Sequence, residues 1–294
     1  MSMIPSDKLL GVDKVIKFGI IADVQYSSLN THNPDVRPAP QGIKKVSDAI
    51  SILNKLDLDF VINLGDLIDR DAQNFPKILK AINASRAPVW HMLGNHDFCG
   101  PEYDYGHKKE ALSALNLSDQ TRYYFKDIEP YRFMMLDTNE LGTIEQLPGS
   151  PEWVAGQNYL NDMKARGKLN AEPWNGGVGK TQIKWLTKAI EDAQDQQLSC
   201  IVFGHHPIYP KHRENLLNEQ QIANLLSSYP SVKIYISGHN HHGNFGRYKG
   251  LPCWTIEGMM DFKDKTAFAD IKIYNNKLVI NGHGRVKSRT LDLR

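Results

Sequence analysis

The sequence predicts an α/β fold in a single domain. Three observations carry this expectation. Short β-branched runs alternate with stretches of helical spacing, five of the runs empty into residues able to bind metal, and no repeat or linker divides the 294 residues. A chain of this length can bury a sizeable core, and in α/β proteins the carboxyl ends of strands are where ligands collect.

Residues 15–22 read as a buried strand that stops at Asp23-Val24-Gln25-Tyr26. A polar loop over 27–41 carries the turn signals Asn33-Pro34 and Arg37-Pro38. Residues 42–56 space their apolar groups as a helix does, and 60–64 make a second strand ending at Gly65-Asp66. Strand, helix, strand predicts two parallel neighbours with both loops on one edge. Residues 75–84 suit a helix with Pro76 in its first turn. A third strand, 88–93, empties into Gly94-Asn95-His96-Asp97, with Tyr103, Tyr105 and His107 in the loop beyond. A short helix is expected over 110–117, then an antiparallel pair, 123–125 and 132–136, ending at Asp137-Thr138-Asn139.

From about 142 to 179 strand character is lost. Pro148, Pro151, Pro173, Trp153 and Trp174 mark an excursion over the surface or a lid on a site. Within it, Gly176-Gly177-Val178-Gly179-Lys180-Thr181 resembles a phosphate-binding loop. The spacing rejects that reading, because Trp174 stands where the first glycine is needed and no strand precedes it. The stretch instead leads into an amphipathic helix over 180–195 with Ile183, Leu186 and Ile190 inward. Residues 200–203 form a strand ending in Gly204-His205-His206-Pro207, and 218–226 a helix. Residues 232–236 form a strand ending in Ser237-Gly238-His239-Asn240-His241-His242. The tail turns antiparallel, 253–256 and then 269–274, with Asn275-Asn276 closing a hairpin onto 277–280.

With 35 basic and 33 acidic residues, the net charge of +2 is too even for a dedicated nucleic-acid or membrane-surface binder. It leaves room for a local positive pocket. Residues 1–12 include Asp7 and Lys8 and lack an apolar core, so they do not read as a signal peptide. No segment approaches the run of about 20 apolar residues that spans a bilayer. Cys99, Cys200 and Cys253 are odd in number and far apart, which argues against a disulfide framework. The expectation is a soluble cytoplasmic protein with a small-molecule partner, no nucleic acid and no membrane. Nothing in the sequence sets the oligomeric state.

Singly, the strand-end clusters carry little. An aspartate after a strand is most often a helix cap, and a histidine pair on a loop is more often hydrogen-bonded structure than a ligand. A glycine before the cluster serves turn geometry equally well. Jointly, Asp23 and Gln25, Asp66 and Asp69, Asn95 and His96, His205, and His239 and His241 stand at five strand ends. One site assembled by the fold, holding a pair of divalent metals, accounts for all of them.

Asp-x-Gln, Gly-Asp-x-x-Asp, Gly-Asn-His-Asp, Gly-His and Gly-His-x-His, in that order, resemble the signature of the calcineurin-like metallophosphoesterases. The resemblance runs from about residue 17 to 280. It implies two mixed β-sheets packed face to face, flanked by helices, around two metals. It further implies that Asp23, Gln25, Asp66 and His241 hold the first metal. Asp66, bridging, would hold the second with Asn95, His205 and His239; His205 is expected as the ligand rather than His206. His96, oriented by Asp69, would be the catalytic histidine, its other readings being a metal ligand or a structural residue. Two metals clamp both ends of an in-line phosphoryl displacement, and an imidazole beside them donates to a phosphate oxygen or the leaving group.

Gln25 departs from the histidine that most of that family carries. An amide oxygen in place of an imidazole nitrogen hardens the first site, which favours manganese, with iron, zinc and magnesium as alternatives. Asp-x-Gln also narrows the likeness. Together with Asn175-Gly176-Gly177-Val178-Gly179, Thr255-Ile256-Glu257-Gly258 and Gly282-His283-Gly284-Arg285, it is similar to the manganese-dependent ADP-ribose/CDP-alcohol diphosphatases. That resemblance implies hydrolysis of the phosphoanhydride of nucleoside diphosphate conjugates, by attack of a hydroxide held between the metals. The products would be a nucleoside monophosphate and a phosphorylated fragment.

Asp97 stands where that group commonly has glutamate. Arg37, in the 27–41 loop, and the tryptophan-bearing excursion are where base or sugar selection would lie. Tyr26 and Phe98, each beside a ligand cluster, either stack on a nucleobase or pack in the core. Cys253 reads as buried strand filler. Two other readings stay open. A phosphomonoesterase or cyclic-nucleotide phosphodiesterase on the same scaffold would be expected to have histidine at position 25. Against a non-catalytic scaffold stands the full ligand set.

Overall fold

The apolar runs become twelve strands among the described residues, which in this computed structural model are 15–294 apart from 31, 101–103 and 275. The signal-peptide reading of residues 1–12, the loop residue Tyr103 and the hairpin residue Asn275 lie outside the described residues. Numbered in chain order, β1 (Ile16–Ile21), β2 (Phe60–Asn63) and β3 (Val89–His91) are parallel neighbours. Helices α1 (Gly42–Leu53) and α2 (Phe75–Ile82) connect them, as parallel pairing requires. Three antiparallel strands complete that sheet: β10 (Ala267–Tyr274), β11 (Lys277–Gly284) and β12 (Arg289–Asp292) give the order β12-β11-β10-β1-β2-β3.

The second sheet joins β4 (Tyr124–Ile128), β5 (Tyr131–Met135), β6 (Ser199–Phe203) and β7 (Val232–Ser237) to β8 (Asn244–Tyr248) and β9 (Leu251–Thr255). Its order is β4-β5-β6-β7-β9-β8, with β5, β6, β7 and β9 parallel. The sheets meet through aromatic side chains. Phe60 stacks between Phe18 at 4.8 Å and Trp90 at 3.7 Å, and Phe133 of the other sheet meets these rings edge-on. Val46, Ile50 and Ile78 seat α1 and α2 on the first sheet's outer face. Leu186 and Ile190 of α5 (Lys180–Asp195), with Ile222 and Leu226 of α6 (Glu219–Ser228), cover the second. The result is the expected pair of mixed sheets flanked by helices.

Three details differ from the sequence expectation. The 142–179 stretch holds a 15-residue helix, α4 (Pro151–Ala165), after the short α3 (Lys108–Ala114). Its start signals were there to read: Ser150 Oγ accepts the Trp153 N–H at 3.1 Å, and Pro151 fills the first turn. Only Gly156, Leu160 and Met163 are buried along it, too thin a stripe to announce a helix by periodicity. The edge strands β8 and β12 went unread because they are only partly buried and alternate weakly. Ile183 is half-buried, whereas Leu186 and Ile190 are fully enclosed.

The parallel strands of both sheets end on one edge of the sandwich, so the loops after β1, β2, β3, β6 and β7 face one another there. Among the described residues no helix is long and apolar enough to cross a membrane. Because Phe133 is fully enclosed where the sheets meet, Phe133→Ala should lower unfolding stability by about 3–5 kcal/mol. Urea unfolding followed by tryptophan fluorescence measures this, and a loss under about 1 kcal/mol would contradict the packing described.

Candidate dinuclear metal centre

The loops after the strands are held in conformations that few side chains adopt. Asp23 (φ 53°), Gln25 (φ 45°), Asp66 (φ 54°) and His239 (φ 63°) all lie in the left-handed region. Non-glycine residues are uncommon there and concentrate at functional sites. Backbone bonds fix the first two loops to each other: the Asp23 N–H donates to the Gly65 carbonyl at 3.2 Å, and the Gln25 N–H to the Asp66 carbonyl at 2.8 Å. Glycine is required where the loops press on carboxylates. A Cβ on Gly94 would collide with Asp66 Oδ1, and one on Gly238 with Asp23 Oδ2.

The seven residues expected as ligands come together around Asp66. Asp66, His205 and His239 present ligand atoms within 4.8 Å of one another. Asn95 Oδ1 lies 3.2 Å from His205 Nε2, and Asp66 Oδ2 lies 3.4 Å from the same nitrogen. On the other flank Gln25 Nε2 donates to Asp66 Oδ2 at 2.9 Å and lies 3.2 Å from His241 Nε2. His241 Nε2 is in turn 3.6 Å from Asp23 Oδ1. None of the seven is more than 9 % exposed.

Ring orientations are set from outside the cluster. His205 Nδ1–H donates to the Leu64 carbonyl at 2.8 Å, and His241 Nδ1–H to Asp261 Oδ1 at 3.0 Å. Both Nε2 lone pairs therefore point inward. Asp261 is itself held by Arg285, whose Nη1 is 3.2 Å away and whose Nη2 donates to the His241 carbonyl at 2.7 Å. Lys45 Nζ ties down the same loop by donating to the carbonyls of Met259, Met260, Asp261 and Phe262 at 2.8–3.3 Å.

This donor set fits metal ions. Gln25 Oε1 is a buried acceptor without a donor partner; with the amide turned over, that oxygen would stand where Nε2 now meets Asp66 Oδ2 and His241 Nε2, as a cation requires. Carboxylate and imidazole lone pairs face each other at its side, an arrangement that needs positive charge between them. Burial opposes the charge on Asp66, yet the His205 and His96 rings hold its carboxyl well below the usual range. Burial likewise disfavours charged rings at His205 and His241. Asp66 in the first case, and Asp23 with Asp261 in the second, reverse this and carry both to about 9. Without metal, protons take the cation's place.

His96 stands at the edge of the cluster. Its Nδ1–H donates to the Asp69 backbone carbonyl at 2.9 Å, with the Asp69 carboxylate at 3.0 Å. Burial favours the neutral ring, but Asp66 and Asp69 outweigh it and raise the pKa. Asp69 also meets Arg70 at 3.2 Å and His32 at 3.3 Å. His206 turns elsewhere, its Nδ1 2.8 Å from Thr138 Oγ1 and its Nε2 accepting the Gly176 N–H.

Asp97 is the residue sequence reasoning undervalued. Its carboxylate accepts the N–H groups of Asp66, Leu67, Ile68 and Gly94 at 2.9–3.2 Å, and so shapes the loop that presents Asp66. The signal was a carboxylate one residue past a candidate catalytic histidine.

Above the cluster opens a cleft of about 480 Å³. Arg37 lines it as expected, its Nε 3.5 Å from Asp261 Oδ1. Tyr26 and Phe98 do not line it. Both rings are enclosed in the apolar layer beneath α1 and α2, so the core-packing alternative describes them. The aromatic walls are Tyr105 and Trp174, with His212, Arg213 and His242 adding positive or titratable groups. His212 and Arg213 belong to no strand-end motif, whereas Tyr105, Trp174 and His242 stand in loops already marked by the sequence without a role assigned to them. A larger surface groove between α1 and α2, about 710 Å³, is lined by no histidine, cysteine or carboxylate.

Comparison with known proteins agrees with this geometry. A family model described as calcineurin-like phosphoesterase matches residues 16–243. The manganese-dependent ADP-ribose/CDP-alcohol diphosphatase of Arabidopsis thaliana is 28% identical over 303 residues, covering 93% of this chain and 96% of that protein. The protein of the same name from Mus musculus is 25% identical over 333 residues, covering 99% and 97%. A solved dimetal phosphatase from Danio rerio superposes with a TM-score of 0.83 at 25% identity, covering 96% of this chain and 100% of that one. A purple acid phosphatase from yellow lupin, at 14% identity and a TM-score of 0.61, bears on the fold alone.

Metal and proton compete for the same lone pairs, which fixes a sign. Below the value of about 9 shared by His205 and His241, a bound proton must leave before a metal binds. Manganese affinity should therefore rise as pH goes from 7 to 9 and level off above it, with about two protons released per protein at pH 7. Calorimetric titrations in buffers of different ionisation enthalpy count those protons, and an affinity independent of pH would contradict the assignment.

Proposed function

We propose, from the premise that this chain belongs to the calcineurin-like phosphoesterase family, that it is a two-metal phosphohydrolase of nucleoside diphosphate conjugates. ADP-ribose and CDP-alcohols, named for its relatives, are the substrates the reading takes over. The observation that carries it is the convergence of six donor residues on a seventh, the buried carboxylate of Asp66, at the floor of a cleft lined by Arg37 and Arg213. Asp23, Gln25, Asp66 and His241 would hold one ion; Asp66, Asn95, His205 and His239 would hold the other. Manganese is favoured, because the Gln25 amide oxygen gives the first set three oxygen donors to one nitrogen.

When bound, the two ions offset the charge of the phosphate oxygens and lower the pKa of the attacking water. The chain's own side chains do the rest. With Nδ1–H committed to Asp69, His96 would deliver a proton from Nε2 to the leaving oxygen. Arg37 neutralises the second phosphate, which a monoester substrate lacks. Trp174 and Tyr105 flank the nucleoside, Trp174 being the contribution of the 142–179 segment to the cover of the cleft. The products are a nucleoside monophosphate and a phosphorylated fragment. A cytoplasmic setting suits Cys99, Cys200 and Cys253, all buried and free.

With manganese, kcat/KM should be higher for ADP-ribose or CDP-choline than for cyclic AMP or p-nitrophenyl phosphate. Preferential turnover of the simple monoester would overturn the reading. His96→Ala should lower kcat by about 10²–10⁴ while the protein still binds two manganese ions, as counted by metal analysis after gel filtration.

A further inference from the structure

We propose that Asn175, in the segment between α4 and α5, is a positioning residue that fixes the tautomer of His239 and so selects which ring nitrogen meets the metal. Asn175 is fully buried. Its Nδ2 donates to two backbone carbonyls, Asn170 at 3.0 Å and Arg213 at 2.7 Å. Carbonyls only accept, so the amide cannot be turned over, and Oδ1 must be the atom facing His239 Nε2 at 2.9 Å. An oxygen in that place requires the proton on Nε2, which leaves the Nδ1 lone pair for the ion. Glu214 Oε2, 3.4 Å from the same Nε2 and bonded to Trp174 Nε1 at 2.7 Å, favours the same proton position.

His205 and His241 are held the other way round, through Nδ1. His205 and His239 would thus meet the second ion through different ring nitrogens, and of these two rings it is His239 that the 142–179 segment holds. Gly176 makes that approach feasible: a Cβ there would collide with the Thr138 carbonyl at the end of β5. The segment is a support for a metal ligand as well as a wall of the cleft.

The inference rests on the two-metal reading above, and the experiment separates the two. Manganese binding is titrated calorimetrically in the unmutated protein, in Asn175→Ala and in Asn218→Ala. Asn218 anchors the same segment, through Val178 N–H at 3.1 Å and Val178 O at 2.9 Å, without touching His239. Asn175→Ala should weaken one of the two sites by about 10–100-fold, with Asn218→Ala within about twofold of the unmutated protein. Equal weakening in both variants, or none in Asn175→Ala, overturns the proposal. No manganese binding by the unmutated protein overturns the two-metal reading instead. Should Asn175→Ala fail to fold, nitrogen-15 spectra of the histidines in the unmutated, metal-free protein decide, with His239→Gln giving the assignment. A proton on Nε2 of His239 supports the inference, and a proton on Nδ1 overturns it.

Discussion

A carboxylate with no solvent contact has to be compensated by its surroundings, and Asp66 is such a group. Its Oδ1 accepts the His96 N–H at 2.8 Å, and its Oδ2 faces Gln25 and His205. The loop that carries it is closed by a second buried carboxylate, Asp97, which collects four N–H groups. Two acids this close repel one another; the four N–H groups on Asp97 and the His205 and His96 rings beside Asp66 offset that repulsion. Ligand placement and the choice of glycine at position 94 follow from this one buried charge.

The site also joins the two sheets. Asp23, after β1, accepts the backbone N–H of His239, after β7, at 3.0 and 3.1 Å. His205, after β6, donates to Leu64, after β2. The N–H groups of Met259 and Met260, past β9, donate to Ala22 and Asp23. Packing of aromatic rings between the sheets and bonding among the ligand loops therefore act on the same relative placement of the layers.

Most of the site was legible because it is written at strand ends. A run such as Phe60 to Asn63 announces itself by composition, and a polar cluster after it announces a loop on the functional edge. What was not legible comes from long-range pairing. Asp261, Arg285, Glu214 and Asn175 act on His239 or His241, and no spacing in the chain relates them to those histidines. Arg285 lies in a motif noted for its likeness to a family, yet only the fold brings it to the His241 carbonyl. Tyr26 and Phe98 mislead for a related reason: adjacency to a ligand does not say which way a ring turns, and both turn inward. The helix α4 was missed because a half-exposed helix bears few apolar residues, although Ser150-Pro151 marked its start.

The left-handed backbone at Asp23, Gln25, Asp66 and His239 changes how these positions can be interrogated. Replacing Asp23 or Asp66 by alanine removes a donor atom and also the short polar side chain whose local hydrogen bonding eases that torsion. Loss of function in that variant mixes the two causes. Asparagine at 23 or 66 keeps both the size and the tolerance for that torsion while discarding the negative charge, so it is the substitution that isolates electrostatics from backbone strain.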